Sequence, residues 1–176
     1  AQRAIRLVRY YAPEWNLDPN HIGILGFSAG GHLASTVATH FDAGNPAAPD
    51  PVDRASSRPD AAILCYAVIS FGEFRNDFTM HKLLGDTVDE EQRLSLSNEL
   101  QVTPRTPPCF LWHGVNDDTV PVENSMLFSG ALRRNNVPFE LHLFPKADHG
   151  LGLAEKDPVV GAWTGLCVKW LKGLGF

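Results

Sequence analysis

Ser28, His149 and the pair Asp117–Asp118 are the residues whose types and settings could do chemistry in this chain. Ser28 lies in Gly26-Phe27-Ser28-Ala29-Gly30, after the apolar run His21-Ile22-Gly23-Ile24-Leu25 and before the helix-compatible Gly31-His32-Leu33-Ala34-Ser35. Gly-x-Ser-x-Gly between a strand and a helix is the setting of a nucleophile elbow, a strained turn that holds a serine hydroxyl above the sheet edge. Side chains at Gly26 or Gly30 are expected to collide with the neighbouring strand or helix in so tight a turn. In a plain loop the same five residues would make only a flexible turn. The strand before and the helix after favour catalysis.

A serine hydroxyl is a poor nucleophile at neutral pH. It needs a base within hydrogen-bond reach, and the base needs a carboxylate to orient it. Parallel α/β sheets collect functional groups at the carboxyl ends of their strands, which confines the search to the loops that follow strands. Gly114-Val115-Asn116-Asp117-Asp118-Thr119-Val120-Pro121 follows one apolar run, and Pro145-Lys146-Ala147-Asp148-His149-Gly150 follows another. Either aspartate could instead cap a helix beginning near Pro121, and His149 alone could be a turn histidine. Their joint occurrence after three different strands, in the order Ser, Asp, His, supports a triad. His21, His32, His40, His81, His113 and His142 have no matching position and are expected to be structural or surface groups. Glu73, Glu90, Glu91 and Glu99 are expected to be solvated or lid residues.

The elements that must position these groups can be read from periodicity. An opening helix carries Ile5, Val8 and Tyr11 on one face, and prolines at 13 and 19 end it. Strands are expected over 21–27, 61–70, 109–113 and 139–144, the second as one continuous apolar run buried on both faces. Helices are expected over 29–40, 121–135 (Met126, Leu127 and Ala131 inward) and 157–174. The last carries Val160, Trp163, Cys167, Trp170, Leu171 and Leu174 on its apolar side. Residues 42–60 hold four prolines and read as loop. Residues 71–108 hold short helices near 80–84 and 89–96 and interrupt the strand–helix alternation, so a lid over the site is expected there, with Phe71, Phe74 and Phe78 as an apolar wall. The fold expected is α/β, about four mostly parallel strands flanked by helices in one domain over 1–176.

Composition narrows the function classes. The chain has 176 residues, 44% of them hydrophobic, and a net charge of −5 with scattered Lys and Arg, which argues against a nucleic-acid footprint. No apolar run is long enough to cross a bilayer. Cys65, Cys109 and Cys167 are widely spaced within apolar segments and are expected to be buried free thiols, neither disulfide-bonded nor metal-bound. No metal or other cofactor is expected. The chain opens on a helix, without Met or leading strand. It is therefore expected to begin partway through a fold, and its compartment, cytoplasmic or secreted, stays open.

The three stretches 26–34, 113–121 and 144–150, with the linking Gln101-Val102-Thr103-Pro104-Arg105-Thr106-Pro107-Pro108, resemble the α/β-hydrolase superfamily over essentially the whole chain. Within it they are most similar to acetyl-xylan-esterase and feruloyl-esterase-like carbohydrate esterases, relatives of the prolyl oligopeptidase catalytic domain. The resemblance implies Ser28 as nucleophile, Asp117 as acid with Asp118 as fallback, His149 as base, and the Ala29 N–H as one oxyanion donor. It also implies further strands, and a His-Gly-Gly-rich loop carrying the second donor, ahead of the first residue here. Lack of one such donor costs roughly 10²–10³ in turnover. Without those strands, Ile22, Ile24 and Leu25 would lie on an unpaired edge and favour a homo-oligomer. The implied activity is hydrolysis of small esters such as acylated sugars. A peptidase, and a weakly active oligomerising module, are the competing readings.

Overall fold

Apolar runs bounded by prolines and glycines, alternating with helical periodicity, fold into four strands and six α-helices in a computed structural model describing residues 1–176. The strands β1 (Gly23–Phe27), β2 (Ala61–Cys65), β3 (Cys109–Gly114) and β4 (Phe139–Phe144) are all parallel and lie in chain order. The helices are α1 (Gln2–Tyr11), α2 (Ala29–Thr39), α3 (Asp77–Leu84), α4 (Glu90–Ser95), α5 (Glu123–Arg134) and α6 (Ala162–Gly173). Parallel neighbours require crossovers, and each crossover here contains at least one helix. No helix is long and apolar enough to cross a membrane.

Alternation along β2 and β3 divides the core in two. Ala62, Leu64, Cys109 and Leu111 pack on Ala34 and Ala38 of α2 and on Phe128, Ala131 and Leu132 of α5. Ala61, Ile63, Cys65, Phe110 and Trp112 face the other way, against Trp163, Cys167 and Trp170 of α6. β2 and β3 are buried throughout, whereas β4 has only half-buried and exposed residues, as suits an edge strand. The three thiols are free and buried. Burial pushes Cys65 up to about 12, Cys167 up to about 11 and Cys109 higher still, so none supplies a thiolate.

α1 docks by charge as well as by apolar contact. Ile5 joins Ile22 and Val37 in a small cluster, while Arg3 pairs with Asp50 and Asp53, Arg6 with Asp42, and Arg9 with Asp60. Three arginines at i, i+3 spacing thereby tie down the proline-rich loop over 42–60. This docking also covers part of the expected bare edge. β1 pairs only with β2, yet Ile22 is buried and Ile24 half-buried, leaving Leu25 at 48% exposure.

Several boundaries differ from the periodicity. The run expected as one strand over 61–70 ends at Cys65, because Tyr66 takes φ 35° and turns the chain. Ala67–Ser70 stays buried as a loop beneath the elbow, with Val68 N–H donating to the Ser28 carbonyl. Apolarity there reports burial, not extension. In α5 the inward residues are Asn124, Ser125, Phe128, Ser129, Ala131 and Leu132, and Met126 is 51% exposed. Polar Asn124 belongs inside because its Oδ1 accepts from Ile69 and Ser70 N–H. The closing helix starts at Ala162, later than 157, since Asp157 makes a turn with Val159 and Val160.

Two buried histidines set a pH dependence. His32 donates from Nε2 to the Leu96 carbonyl and stacks on Phe71; His113 donates from Nε2 to Val120 O and accepts at Nδ1 from Ser125. Burial lowers both pKa values below 6.5. On acidification the unfolded chain protonates first, so their stability is whole above about 6.5 and is lost as pH falls towards the lowered folded values. The depressed carboxylates Asp18, Asp42, Asp50 and Glu90 lose theirs only below the ordinary range of 3.8–4.5. The urea midpoint is therefore expected to drop between about pH 7.5 and 5.5, with a shallower drop in His113→Gln. A flat midpoint across that window would show that these imidazoles titrate normally.

Candidate active site

Ser28 stands between β1 and α2 at φ 53°, ψ −122°. This is a region that costs a non-glycine residue about 1–3 kcal/mol. The turn is held by Ser28 N–H donating to Cys65 O and by the Ser28 carbonyl accepting from His32 and Val68. A Cβ on Gly26 would lie 2.1 Å from the Gly30 carbonyl oxygen, and one on Gly31 would lie 2.4 Å from the Ala67 Cβ. Space at Gly30 is open, with no atom within 4 Å of an added Cβ. Of the two glycines expected to be sterically required, Gly26 is and Gly30 is not; the second close approach belongs to Gly31, which packs α2 against the loop after β2.

Ser28, Asp117 and His149 come together from three strand ends. Ser28 Oγ lies 2.8 Å from His149 Nε2, and His149 Nδ1 lies 2.7 Å from Asp117 Oδ2. The carboxylate can only accept, so Nδ1 carries the proton and Nε2 is free to accept from the serine hydroxyl. Asp117 Oδ1 accepts from the Thr119 and Val120 N–H groups, and its side chain is 1% exposed. Asp118 is exposed, and its carboxylate accepts from Thr119 Oγ1 and makes no hydrogen bond to His149. Neither aspartate caps α5, whose N-cap is Val122 without a side-chain bond. The Ala29 N–H, at the first residue of α2, has no acceptor within that helix and opens beside Ser28.

The two loops that carry Asp117 and His149 are locked to each other. Asn116 Oδ1 accepts from Ala147 N–H at 2.7 Å and its Nδ2 donates to Asp148 at 3.1 Å. A Cβ on Gly114 would lie 1.8 Å from the Ala147 carbonyl oxygen, so only glycine allows this approach. His113, expected to be a structural or surface group, is buried with its Nε2 3.4 Å from Asp117 Oδ2. Asn116 and His113 lie in the motif around Asp117, but nothing in one sequence distinguishes a loop-bridging amide from a solvated one.

The segment 71–108 divides into two parts. Its second half is anchored in the core. Asn98 Nδ2 donates to Ser35 and Thr36, His32 reaches Leu96, and Glu99, expected to be a solvated or lid residue, accepts from Ser70. Its first half contributes α3, whose Phe78, Thr79 and Leu83 face Ala29, His32 and Leu33 of α2 across a cavity of about 390 Å³. Phe71, expected in an apolar wall, is instead fully buried against Val68, Met80 and Val120. Phe78 is 72% exposed and does line the cavity.

A parallel sheet with helices on both faces and a serine elbow at a strand end defines an α/β-hydrolase fold. The chain belongs to the BD-FAE family, whose model matches residues 1–132, a stretch that contains Ser28 and Asp117. It is 41% identical to endo-1,4-beta-xylanase B of Butyrivibrio fibrisolvens over 93% of its length, and 32% identical to an acetylxylan esterase of Xylanibacter ruminicola over 99%. It spans only 25% and 33% of those two proteins. Among solved structures, the acetyl ester-xyloside bifunctional hydrolase of Caldicellulosiruptor lactoaceticus superposes with TM-score 0.98 at 54% identity, covering 99% of this chain and 64% of that one.

Proposed function

We propose that this chain carries the catalytic centre of a serine carboxylic-ester hydrolase acting on small acyl groups, acetyl or feruloyl, carried by sugars. The observation that carries the reading is the unbroken hydrogen-bond chain from Ser28 through His149 to the buried Asp117. His149 Nε2 takes the hydroxyl proton as Ser28 Oγ attacks the ester carbonyl, and Asp117 stabilises the imidazolium that forms. The carbonyl oxygen, now negative, accepts from Ala29 N–H. His149 returns the proton to the departing sugar oxygen, leaving an acyl-Ser28. Water deprotonated by the same nitrogen then releases the acid and restores the serine. The sugar ester rests on the names of the relatives, an acetylxylan esterase and an acetyl ester-xyloside hydrolase.

The test is reaction with a fluorophosphonate probe, with the adduct mapped by mass spectrometry, followed by acetate release from acetylated xylooligosaccharides. Labelling at Ser28 with acetate release supports the reading. Labelling with cleavage of acyl-peptides alone would favour the peptidase, and no labelling would favour a non-catalytic module.

Residues 71–108 act in this reading as a partial lid, through α3 alone. Phe78→Ala removes the most exposed wall of the cavity next to Ala29. It is expected to lower kcat/KM for butyryl or aromatic esters about tenfold relative to acetyl, roughly what one lost methylene contact is worth. An unchanged preference would reduce α3 to a packed connection.

The outer edge of β1 is the surface assigned here to self-association. Its backbone groups face outward beside exposed Leu25, and such an edge templates pairing. Sedimentation is expected to be concentration-dependent, and Leu25→Lys to suppress the dependence. A concentration-independent monomer would remove this role.

A further inference from the structure

We propose that Tyr66 is a positioning residue for His149, which holds the imidazole and the loop that carries it in place; this rests on the reading of His149 as general base. Tyr66 is the first residue beyond β2. Its N–H still donates to the Trp112 carbonyl at 2.7 Å, and its backbone then turns through φ 35°. Because Phe27 pairs with Cys65, Ser28 and Tyr66 leave adjacent strands at the same level, both in the left-handed half of backbone space. Residues other than glycine keep such a conformation only where surrounding contacts impose it, and these sites cluster where geometry serves function.

The side chain shows what the turn achieves. The Tyr66 ring lies 4.9 Å from the His149 ring at 67°, an edge-to-face arrangement. Trp112, at 4.9 Å and 83°, and Phe27, at 5.7 Å, hold it from behind. Its hydroxyl accepts from Gly152 N–H at 3.0 Å, while the Gly152 carbonyl accepts from Trp163 Nε1 at 3.2 Å. The loop over 147–152 is thus pinned at its start by Asn116 on Ala147 and at its end by Tyr66 on Gly152, with His149 between the pins. The hydroxyl accepts from Gly152 and the ring meets His149, so Tyr66 acts through the placement of His149.

Tyr66→Phe keeps the ring and frees the Gly152 N–H; Tyr66→Leu removes both supports. The measurements are kcat and KM on nitrophenyl acetate, and the deshielded Nδ1 proton between His149 and Asp117 followed by proton NMR in water. Tyr66→Leu is expected to lose about 10²-fold in kcat with KM within about twofold, as for a displaced catalytic group, and its Nδ1 proton should broaden by exchange. Tyr66→Phe is expected to lose about three- to tenfold, the worth of one hydrogen bond. In a folded Tyr66→Leu, anything short of both a kcat loss and a broadened proton overturns the proposal. If that variant does not fold, a loss below about twofold in Tyr66→Phe overturns it. His149→Ala separates the two readings. Wild-type turnover in that variant would end the triad reading itself, whereas an inactive His149→Ala beside unimpaired Tyr66 variants would end only the role of Tyr66.

Discussion

Ser28→Ala is expected to reduce hydrolysis of a short-chain nitrophenyl ester to background, a loss of about 10⁴- to 10⁶-fold, with an unchanged far-ultraviolet circular dichroism spectrum. The substitution is well controlled because alanine suffers the same backbone strain as serine at φ 53°. Only Oγ is removed, and with it the 2.8 Å bond to His149. Ser28→Gly removes the same oxygen and relieves the strained backbone, so it should be equally inactive yet more stable. Activity persisting in either variant would assign the nucleophile elsewhere.

Asp117→Asn is expected to cost about 10⁴-fold in kcat, as when an orienting aspartate is made an amide. Both carboxylate oxygens of Asp117 face donors: the Thr119 and Val120 N–H groups on one side, His149 Nδ1 on the other. An asparagine must turn its NH₂ towards one of them. If its oxygen keeps the two backbone donors, the NH₂ faces Nδ1. The imidazole then holds its proton on Nε2, where it cannot accept from Ser28. If the amide flips, the Thr119 and Val120 N–H groups lose their acceptor, at about 1–3 kcal/mol for the buried one on Val120. The first outcome loses activity at full stability; the second keeps the proton on Nδ1 and is read chiefly as lost stability. Asp118→Asn, on an exposed side chain, serves as the control and should be close to wild type. Equal losses at 117 and 118 would refute the assignment of the acid.

What was legible in the sequence followed from local rules. The positions of β1, β3 and β4, and the helix after the elbow, follow from apolar runs and helical spacing bounded by breakers. Ser28, Asp117 and His149 stand out as candidates because each follows a strand, and a parallel sheet brings strand ends to one side. The choice of Asp117 over Asp118, by contrast, came from family likeness. Two adjacent aspartates are chemically equivalent until the loop after β3 folds and turns one inward.

The remainder depended on groups far apart in sequence. Tyr66 sits inside an unbroken apolar run and reads as strand, because periodicity cannot separate an extended buried segment from a buried loop. Asn124 and Ser125 face the core of α5 in defiance of hydrophobic patterning, since Ile69, Ser70 and His113 meet them with matching donors and acceptors. Glu99 turned inward to Ser70 for the same reason. Gly30 and Gly31 differ only in what stands opposite, open space for one and Ala67 for the other. A chain encodes backbone preference and burial locally, through the period of its apolar residues. Which polar atom finds a partner, and which glycine is pressed by a neighbour, is decided only when residues dozens of positions apart are packed into contact.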